Sequence, residues 1–233
     1  WTDDTALALA LSDAILRSHP HMFDPILCAE NFVAWADTGR FGTRNHCFDI
    51  GYTTAIAIQS YKYGKEGNVY TGLTGKEFAG NGGIMRMAPA IIASNTQAEA
   101  GALAVQQSLL THAAPEAIMY TVALAEELWW GKSMAKYDHL KLPKDTPRSE
   151  VMSGGYVKET YQCAWWAIHN TCSFEAALIL AVNRGHDSDT VGAVTGQLAG
   201  RIYGKSSIPE RWLKQLHQRE HIEDTATRLL KHR

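Results

Sequence analysis

The sequence has no excess of basic residues. Twenty-two Lys and Arg residues stand against 24 Asp and Glu residues, and the formal net charge is −2. A chain with this charge lacks the positive surface that neutralises nucleic-acid phosphates or anionic lipid headgroups. We therefore expect no nucleic acid and no membrane surface among its partners.

Long apolar runs and paired cysteines are also missing. The longest apolar stretches, such as residues 55–58, fall far short of the about 20 residues that span a bilayer. The cysteines, at positions 28, 47, 163 and 172, form no CxxC pair and match no zinc or disulfide spacing. These features favour reduced thiols in a cytoplasmic protein.

Alternating, strand-like patterns are nearly absent as well, and residues 68–71 are the only weak candidate for a strand. Helical periodicity dominates and predicts a single all-α domain over residues 1–233. Two long connections, 64–83 and 131–154, have a length that is usually functional or disordered. The predicted helices cover residues 5–17, 25–37, 49–63, 96–110, 115–130, 154–169, 173–182, 187–203, 209–218 and 220–231.

Two similar acidic motifs lie near opposite ends of the chain, each at the start of a predicted helix. They are Thr2 to Thr5, with sequence TDDT, and Asp187 to Thr190, with sequence DSDT. If the two helix starts pack together, four carboxylates repel one another unless cations lie between them. Because hard divalent cations take oxygen ligands, the pair of motifs indicates a two-metal hydrolase.

Helix capping is the alternative interpretation of these motifs. A Thr or Asp at the N-cap, followed by acids in the first turn, commonly begins a helix, and this explains the first motif without a metal. The second motif carries more polar residues than one cap requires, and Gly185 permits a tight turn just before it.

A glycine-rich loop, Gly80-Asn81-Gly82-Gly83, precedes the sequence IMRMAP. Glycines of this kind allow backbone N–H groups to approach a phosphate closely, as they do in anion-binding nests. A flexible turn between two helices is the other interpretation, because the loop matches neither a Walker A motif nor a dinucleotide fingerprint.

Two further residues are candidates for ligand contacts. His112 lies just before a helix that starts with Pro115, where it serves either as a donor to a phosphate or as a buried structural histidine. Tyr156 follows Gly154 and Gly155, and it covers either a base or ribose of a ligand or part of the core.

Together these motifs resemble the ADP-ribosylglycohydrolases. The segments WTDDT, GNGGIMRMAP, LTHAAPEAI, SGGYV and NRGHDSDTVGAVTGQLAG follow the order typical of that family, from residue 1 to about residue 204. The resemblance implies a compact, all-α orthogonal bundle of many helices with a central cleft that holds two Mg²⁺ or Mn²⁺ ions.

The resemblance also assigns roles to individual residues. It implies metal ligation by Thr2, Asp3, Asp4, Asp187, Asp189 and Thr190, with Asp4 or Asp187 as proton acceptor. Contacts to ADP-ribose fall on Gly80, Asn81, Gly82, His112, Gly154, Gly155 and Tyr156.

The activity implied is hydrolysis of ADP-ribose from a modified protein side chain, with ADP-ribosyl-arginine as the leading substrate. Such an enzyme reverses an ADP-ribosyltransferase, and the expected partners are an ADP-ribosylated protein, ADP-ribose or an ADP-ribosyltransferase toxin. The basic residues of the 131–154 connection form either a surface that selects the protein substrate or a solvated rim.

One departure from the family pattern supports a second hypothesis. Members carry a helical segment with a further acidic residue before the Thr-Asp-Asp element, whereas this sequence opens on that element. We therefore expect a domain without that segment. The alternative function is a non-catalytic ADP-ribose-binding, structural or toxin-immunity protein.

Overall fold

Helices account for nearly all of the regular structure. The computed structural model describes residues 1–19, 22–64 and 68–233. Within these ranges the only β pairing consists of two isolated bridges, between Leu73 and His112 and between Gly80 and Tyr156. The predicted all-α class is therefore confirmed, and the weak strand at residues 68–71 does not form.

The described residues form twelve α-helices and four short 3-10 helices. The α-helices are α1 Asp3–Arg17, α2 Pro25–Thr38, α3 Tyr52–Tyr63, α4 Gly82–Met85, α5 Ala88–Ile92, α6 Gln97–Leu109, α7 Pro115–Trp130, α8 Val157–His169, α9 Phe174–Val182, α10 Ser188–Tyr203, α11 Glu210–Leu213 and α12 Arg219–His232. The 3-10 helices are Lys76–Phe78, Ala135–Leu140, Arg148–Glu150 and Lys205–Ser207.

Local capping chemistry explains why many of these boundaries were predictable. The Asp24 carboxylate accepts from the backbone N–H of Ile26, at 2.9 Å, and α2 ends at Gly39 in the left-handed conformation. Thr96 and Glu99 form a reciprocal capping box at the start of α6. Such contacts join residues only a few positions apart, so the sequence alone specifies them.

Four predicted boundaries are wrong by two residues or more, and one of them is the start of α8, which lies at Val157 rather than at residue 154. The short helices α4 and α5 were not predicted. Helix α1 begins at Asp3, which puts both acids of the first motif inside its first turn. Helix α3 begins at Tyr52 rather than at residue 49, because Asp49 has a positive φ of 62° and the N-cap is Gly51. The helix predicted over 209–218 shortens to α11, which ends at Leu213, and Gln218 adopts a left-handed conformation at the N-cap of α12.

Two large apolar clusters flank the ends of α1 and α10. One is built on α7, α8 and α10, with Leu124, Trp165 and Leu198 among its buried members. The other surrounds α1 and α2, with Leu11 and Trp35 at its centre. Helices α1, α4 and α10 contact one another, and acidic residues in the first turns of α1 and α10 lie close together.

Two observations complete the description. In the described part of the chain, every helix falls short of the length and apolarity needed to cross a membrane. The predicted connection at 64–83 includes residues 65–67, which lie outside the described residues.

Candidate functional site

Three carboxylates from the two acidic motifs lie together. Ligand oxygens of Asp3, Asp4 and Asp189 all lie within 4.8 Å of one another. Asp3 and Asp4 are buried in the first turn of α1, whereas Asp189 is exposed in the first turn of α10. The fold thus brings together residues from nearly opposite ends of the chain.

Capping does not account for the polar residues at these helix starts. Thr2 occupies the N-cap of α1 but makes no side-chain cap; its hydroxyl donates instead to Asp4 Oδ2 at 2.7 Å. Asp187 occupies the N-cap of α10, and its Oδ2 accepts from Asn81 Nδ2 at 2.7 Å rather than from the helix backbone. Thr2 therefore contacts the cluster of Asp3, Asp4 and Asp189, whereas Asp187 contacts the glycine-rich loop beside it.

The cluster carries strong electrostatic repulsion. Burial, reinforced by Asp4, Asp49, Asp189 and Asp187, raises the pKa of Asp3 to about 8. Burial also raises the pKa of Asp4 to about 6, although hydrogen bonds from Thr2 and Thr190 oppose this rise. A nearby cation would remove this penalty.

The cluster also offers unfilled coordination capacity. Asp4 Oδ1 is buried and has no hydrogen-bond partner among the described residues. The ion pairs of the described chain include none of Asp3, Asp4, Asp187 and Asp189. A compact set of carboxylate and hydroxyl oxygens without a basic partner suits Mg²⁺ or Mn²⁺.

A cleft of about 280 Å³ opens beside the acids. Most of the site residues predicted from the sequence line it, and the remainder lie immediately behind or beside those that do. The lining includes Asp3, Gly80, Asn81, Gly82, His112, Gly155, Asp187, Asp189 and Thr190. Thr2, Asp4, Gly154 and Tyr156 are outside this lining.

The glycine-rich loop pairs with the segment that precedes α8. Asn81 N–H donates to the Gly155 carbonyl at 3.1 Å, and Val157 N–H donates to the Ala79 carbonyl at 3.0 Å. Asp187 N–H donates to the Ser153 carbonyl at 3.0 Å. These backbone bonds fix both glycine-containing segments against the second acidic motif.

Close packing against His112 explains two of the loop glycines. A Cβ on Gly82 would lie 2.4 Å from His112 Cε1, and one on Gly80 would lie 3.1 Å from His112 Nε2. The ring therefore occupies the space that these glycines leave open. His112 is itself buried, as expected of a structural histidine, and it also lines the cleft.

Tyr156 is not part of the core. Its side chain is 37% exposed, which excludes the core alternative considered from the sequence. A hydrogen bond to Glu116, aided by burial, raises the pKa of Tyr156 to about 12, so the phenol stays protonated at neutral pH. Gly154 lies beside it, and its backbone N–H donates to Glu159 at 3.0 Å.

Sequence reasoning missed two residues at the cleft. Asp49 lines the cleft in a left-handed backbone conformation, which is uncommon outside glycine and is often kept for function. Tyr52, the first residue of α3, is 75% exposed at the same edge. The neighbouring Gly51 was the only sequence signal for irregular backbone at Asp49. The residue pattern instead favoured a helix that starts at residue 49.

A separate cavity of about 330 Å³ lies at the other end of α1. Its walls are mainly apolar, and it contains the single carboxylate Glu99, which is engaged in the α6 capping box. The described residues of its lining hold no acidic cluster, so the 280 Å³ cleft is the better candidate for a catalytic or metal site.

Comparisons with known proteins identify the family of the chain. The family profile described as ADP-ribosylglycohydrolase matches residues 1–233. The chain is 37% identical to ADP-ribosylarginine hydrolase Tri1 of Serratia proteamaculans (strain 568), covering 98% of this chain and 66% of that protein. It is 29% identical to the ADP-ribosyl-[dinitrogen reductase] glycohydrolase of Rhodospirillum rubrum, covering 92% and 73% respectively.

A solved structure described as an ADP-ribosylglycohydrolase-related protein complex shares the fold. The TM-score is 0.80 at 34% identity, and the match covers 100% of this chain and 81% of that one. The chain spans just under two thirds of the length of its Serratia relative. The family profile over residues 1–233, the sequence identities and the shared fold all agree. The chain therefore belongs to the ADP-ribosylglycohydrolase family.

Proposed function

We propose that this chain hydrolyses the bond between ADP-ribose and a modified protein side chain, with ADP-ribosyl-arginine as substrate. The observation that carries the proposal is the cluster of Asp3, Asp4 and Asp189 beside a cleft bordered by the glycine-rich loop. Relatives in Serratia proteamaculans and Pseudomonas putida bear the name ADP-ribosylarginine hydrolase, which supports arginine as the acceptor.

The acidic cluster is suited to two Mg²⁺ or Mn²⁺ ions. Asp3, Asp4 and Asp189 would hold them, with Thr2, Thr190 and Asp187 at the edge of the same cluster. When bound, such ions supply Lewis-acid stabilisation and lower the pKa of a bound water.

The surrounding residues provide proton transfer and orientation. Hydrolysis at an anomeric carbon requires a group that accepts a proton from the attacking water. Asp187 reaches the cleft, and the Asn81 amide fixes its orientation, so Asp187 is our choice of acceptor, with Asp4 as the second choice. Asp49 adds a further carboxylate at the same cleft.

The opposite side of the cleft is suited to the nucleotide. Gly80, Asn81 and Gly82 present backbone at the wall, where an anion can approach closely. His112 adds a buried imidazole beside them, in reach of a diphosphate. Gly155 and the exposed Tyr156 continue this wall towards solvent, where a ribose and base would lie.

In the cell, this activity would reverse an ADP-ribosyltransferase. We place the protein in the cytoplasm, with an ADP-ribosylated protein as its substrate. A transferase toxin is a fitting antagonist, because removal of ADP-ribose from arginine would undo its modification. The second hypothesis, ADP-ribose binding without turnover, is distinguished by the same experiment.

The test is release of ADP-ribose from an arginine-ADP-ribosylated protein, measured with Mg²⁺, with Mn²⁺ and with EDTA. We expect metal-dependent release that Asp189→Asn reduces at least about 100-fold, a loss of about 2.7 kcal/mol in transition-state stabilisation. The matched control, exposed Asp145→Asn, should retain activity.

Two outcomes would count against hydrolysis. Full release in EDTA would contradict the metal requirement. Calorimetric binding of ADP-ribose without any release would instead support the non-catalytic hypothesis.

A further inference from the structure

Arg86 is a fully buried cation behind the glycine-rich loop. It directly follows α4, has no exposed surface and belongs to no ion pair among the described residues. Its guanidinium lies over the Phe32 ring at 4.6 Å, and its Nη1 is buried without a hydrogen-bond partner. A buried charge with no carboxylate partner is costly, so its remaining contacts call for a functional explanation.

Those contacts lead towards the cleft. Arg86 Nε donates to Gln107 Oε1 at 2.8 Å, and Nη2 donates to the Gln107 carbonyl at 3.0 Å. Nη2 also donates to Thr111 Oγ1 at 2.6 Å. Thr111 Oγ1 in turn lies 2.9 Å from His112 Nδ1.

The direction of the hydrogen bond between Thr111 Oγ1 and His112 Nδ1 follows from which groups carry a proton. A guanidinium can only donate, so Thr111 Oγ1 must accept from Arg86. Thr111 is fully buried, and His112 Nδ1 is the one remaining side-chain partner of its hydroxyl in the described chain. If Nδ1 carried a proton, the hydroxyl hydrogen would be buried without an acceptor, which costs about 1–3 kcal/mol.

The opposite ring nitrogen faces the ligand wall. His112 Nε2 is the ring atom nearest to the position of a Cβ on Gly80, at 3.1 Å, whereas Cε1 is the atom nearest to one on Gly82. Both glycines and His112 line the cleft. Burial, with a smaller contribution from Arg86, lowers the pKa of His112 to about 3, so the ring is neutral at physiological pH.

We infer that Arg86 and Thr111 are positioning residues that hold neutral His112 in the tautomer with hydrogen on Nε2, so that Nε2–H donates to an anionic oxygen of the bound nucleotide. The inference rests on the proposed function for the identity of the ligand, a nucleoside diphosphate sugar. It deepens that proposal by naming a hydrogen-bond donor for the ligand, the neutral His112 ring, and the residues that orient it.

The direct test is the tautomer of His112 in the intact chain. Long-range ¹⁵N–¹H correlation spectra of protein labelled at histidine distinguish a protonated from an unprotonated ring nitrogen, and His112→Gln identifies the signal. We expect protonated Nε2 and unprotonated Nδ1, both without ligand and with ADP-ribose. A signal from protonated Nδ1 in the wild-type protein would overturn the inference. This result does not depend on a variant of Arg86 or Thr111.

Substitution of Thr111 tests the relay. Thr111→Val removes the hydroxyl with little change in shape, so Nδ1–H should appear in the spectra and the Kd for ADP-ribose should rise about 3- to 10-fold. Thr111→Ser restores the hydroxyl and should return both readings to within about twofold of wild type.

Thr195→Val is the matched control, since Thr195 is equally buried and its hydroxyl donates within its own helix to Val191 at 2.7 Å. It should leave the His112 spectrum and the Kd unchanged. If Thr111→Val behaves in the same way, the inference fails. If wild type shows the expected tautomer and response of Kd but releases no ADP-ribose, the proposed hydrolysis fails and the inference stands.

Discussion

The Asn81 side-chain amide donates to Asp187 Oδ2 at 2.7 Å across a separation of 106 residues. The same amide donates to Thr160 Oγ1 at 2.9 Å, and that hydroxyl lies 3.1 Å from the Gly154 carbonyl. One asparagine therefore links the glycine-rich loop, the start of α10 and the segment before α8. This link orients the carboxylate that we propose as proton acceptor.

Asn81→Ala should therefore impair turnover more than nucleotide binding. Loss of a hydrogen bond to a charged group costs about 1.5–3 kcal/mol, so we expect kcat to fall about 10- to 100-fold. Thr160→Val removes only the second bond of the amide and should cost less than Asn81→Ala. Steady-state kinetics on an ADP-ribosylated protein measure both, and an unchanged kcat for Asn81→Ala would exclude this role.

Asp3→Asn should stabilise the metal-free protein and weaken its response to metal. Burial, reinforced by repulsion from neighbouring carboxylates, raises the pKa of Asp3 to about 8, above its ordinary 3.8, so the ionised form destabilises the fold as pH rises between these values. The amide removes that charge together with one cation ligand. Thermal melting at pH 8 should show a higher Tm in EDTA and a smaller rise with Mg²⁺ than wild type.

Exposed Asp145→Asn is the control for that change, and it should leave both Tm values near those of wild type. A Tm for wild type that does not respond to Mg²⁺ or Mn²⁺ would contradict a metal site at this cluster.

Gly82→Ala and Gly101→Ala should have opposite effects on stability. A Cβ at Gly82 would lie 2.4 Å from the His112 ring, so we expect a loss of about 1–3 kcal/mol from overpacking and weaker ADP-ribose binding. Gly101 lies inside α6 with open space around it, so alanine there should add about 0.5–1 kcal/mol. Urea unfolding measures both, and equal effects would show that the ring does not occupy this space.

His112 should make the protein less stable in acid. Its pKa is lowered to about 3 by burial, against an ordinary 6.5, so the unfolded chain binds more protons between these values. The contribution of neutral His112 to the free energy of unfolding is complete above about pH 6.5. It declines towards about pH 3, by at most about 1.4 kcal/mol per pH unit. His112→Gln should flatten the fall in unfolding free energy from pH 6 to 4, whereas exposed His221→Gln should not.

A buried ion pair should anchor the connection between α7 and α8. Glu127 accepts from Lys141 Nζ at 2.7 Å, from Tyr161 Oη at 2.7 Å and from Trp165 Nε1 at 2.6 Å. Lys141 therefore belongs neither to a solvated rim nor to a surface that selects a protein substrate. Glu127→Ala leaves this buried cation with only the exposed carboxylate of Asp138, at 3.2 Å, and we expect a loss of about 3–5 kcal/mol in urea unfolding.

The matched control lies in the same connection, where Lys136 pairs with Glu126 near the surface. Lys136→Met should cost less than about 1 kcal/mol, because exposed pairs contribute little. Replacing Glu127 and Lys141 together by apolar residues should recover only the part of the loss that the buried cation causes, because Tyr161 Oη and Trp165 Nε1 stay without their acceptor. If the double variant is no more stable than Glu127→Ala, the buried cation does not contribute to the loss.

Much of the helical framework was predictable because its signals are local. Proline at the start of α2 and α7, glycine at their ends and the capping box of α6 all act over a few residues. The acidic motifs were also visible, as were the glycine-rich loop and the family resemblance, which the comparisons confirm. Asp49 escaped because its helical pattern concealed a positive φ.

The cluster itself depends on long-range packing. Capping and metal ligation use the same residue types at a helix start, so the sequence left both interpretations open for Thr2 and Asp187. In the folded chain the Thr2 hydroxyl donates to the Asp4 carboxylate, whereas Asp187 accepts from Asn81 at the start of α4, which packs against both α1 and α10. Local sequence thus specified which chemical groups are present, whereas the burial of distant apolar faces set which of them meet.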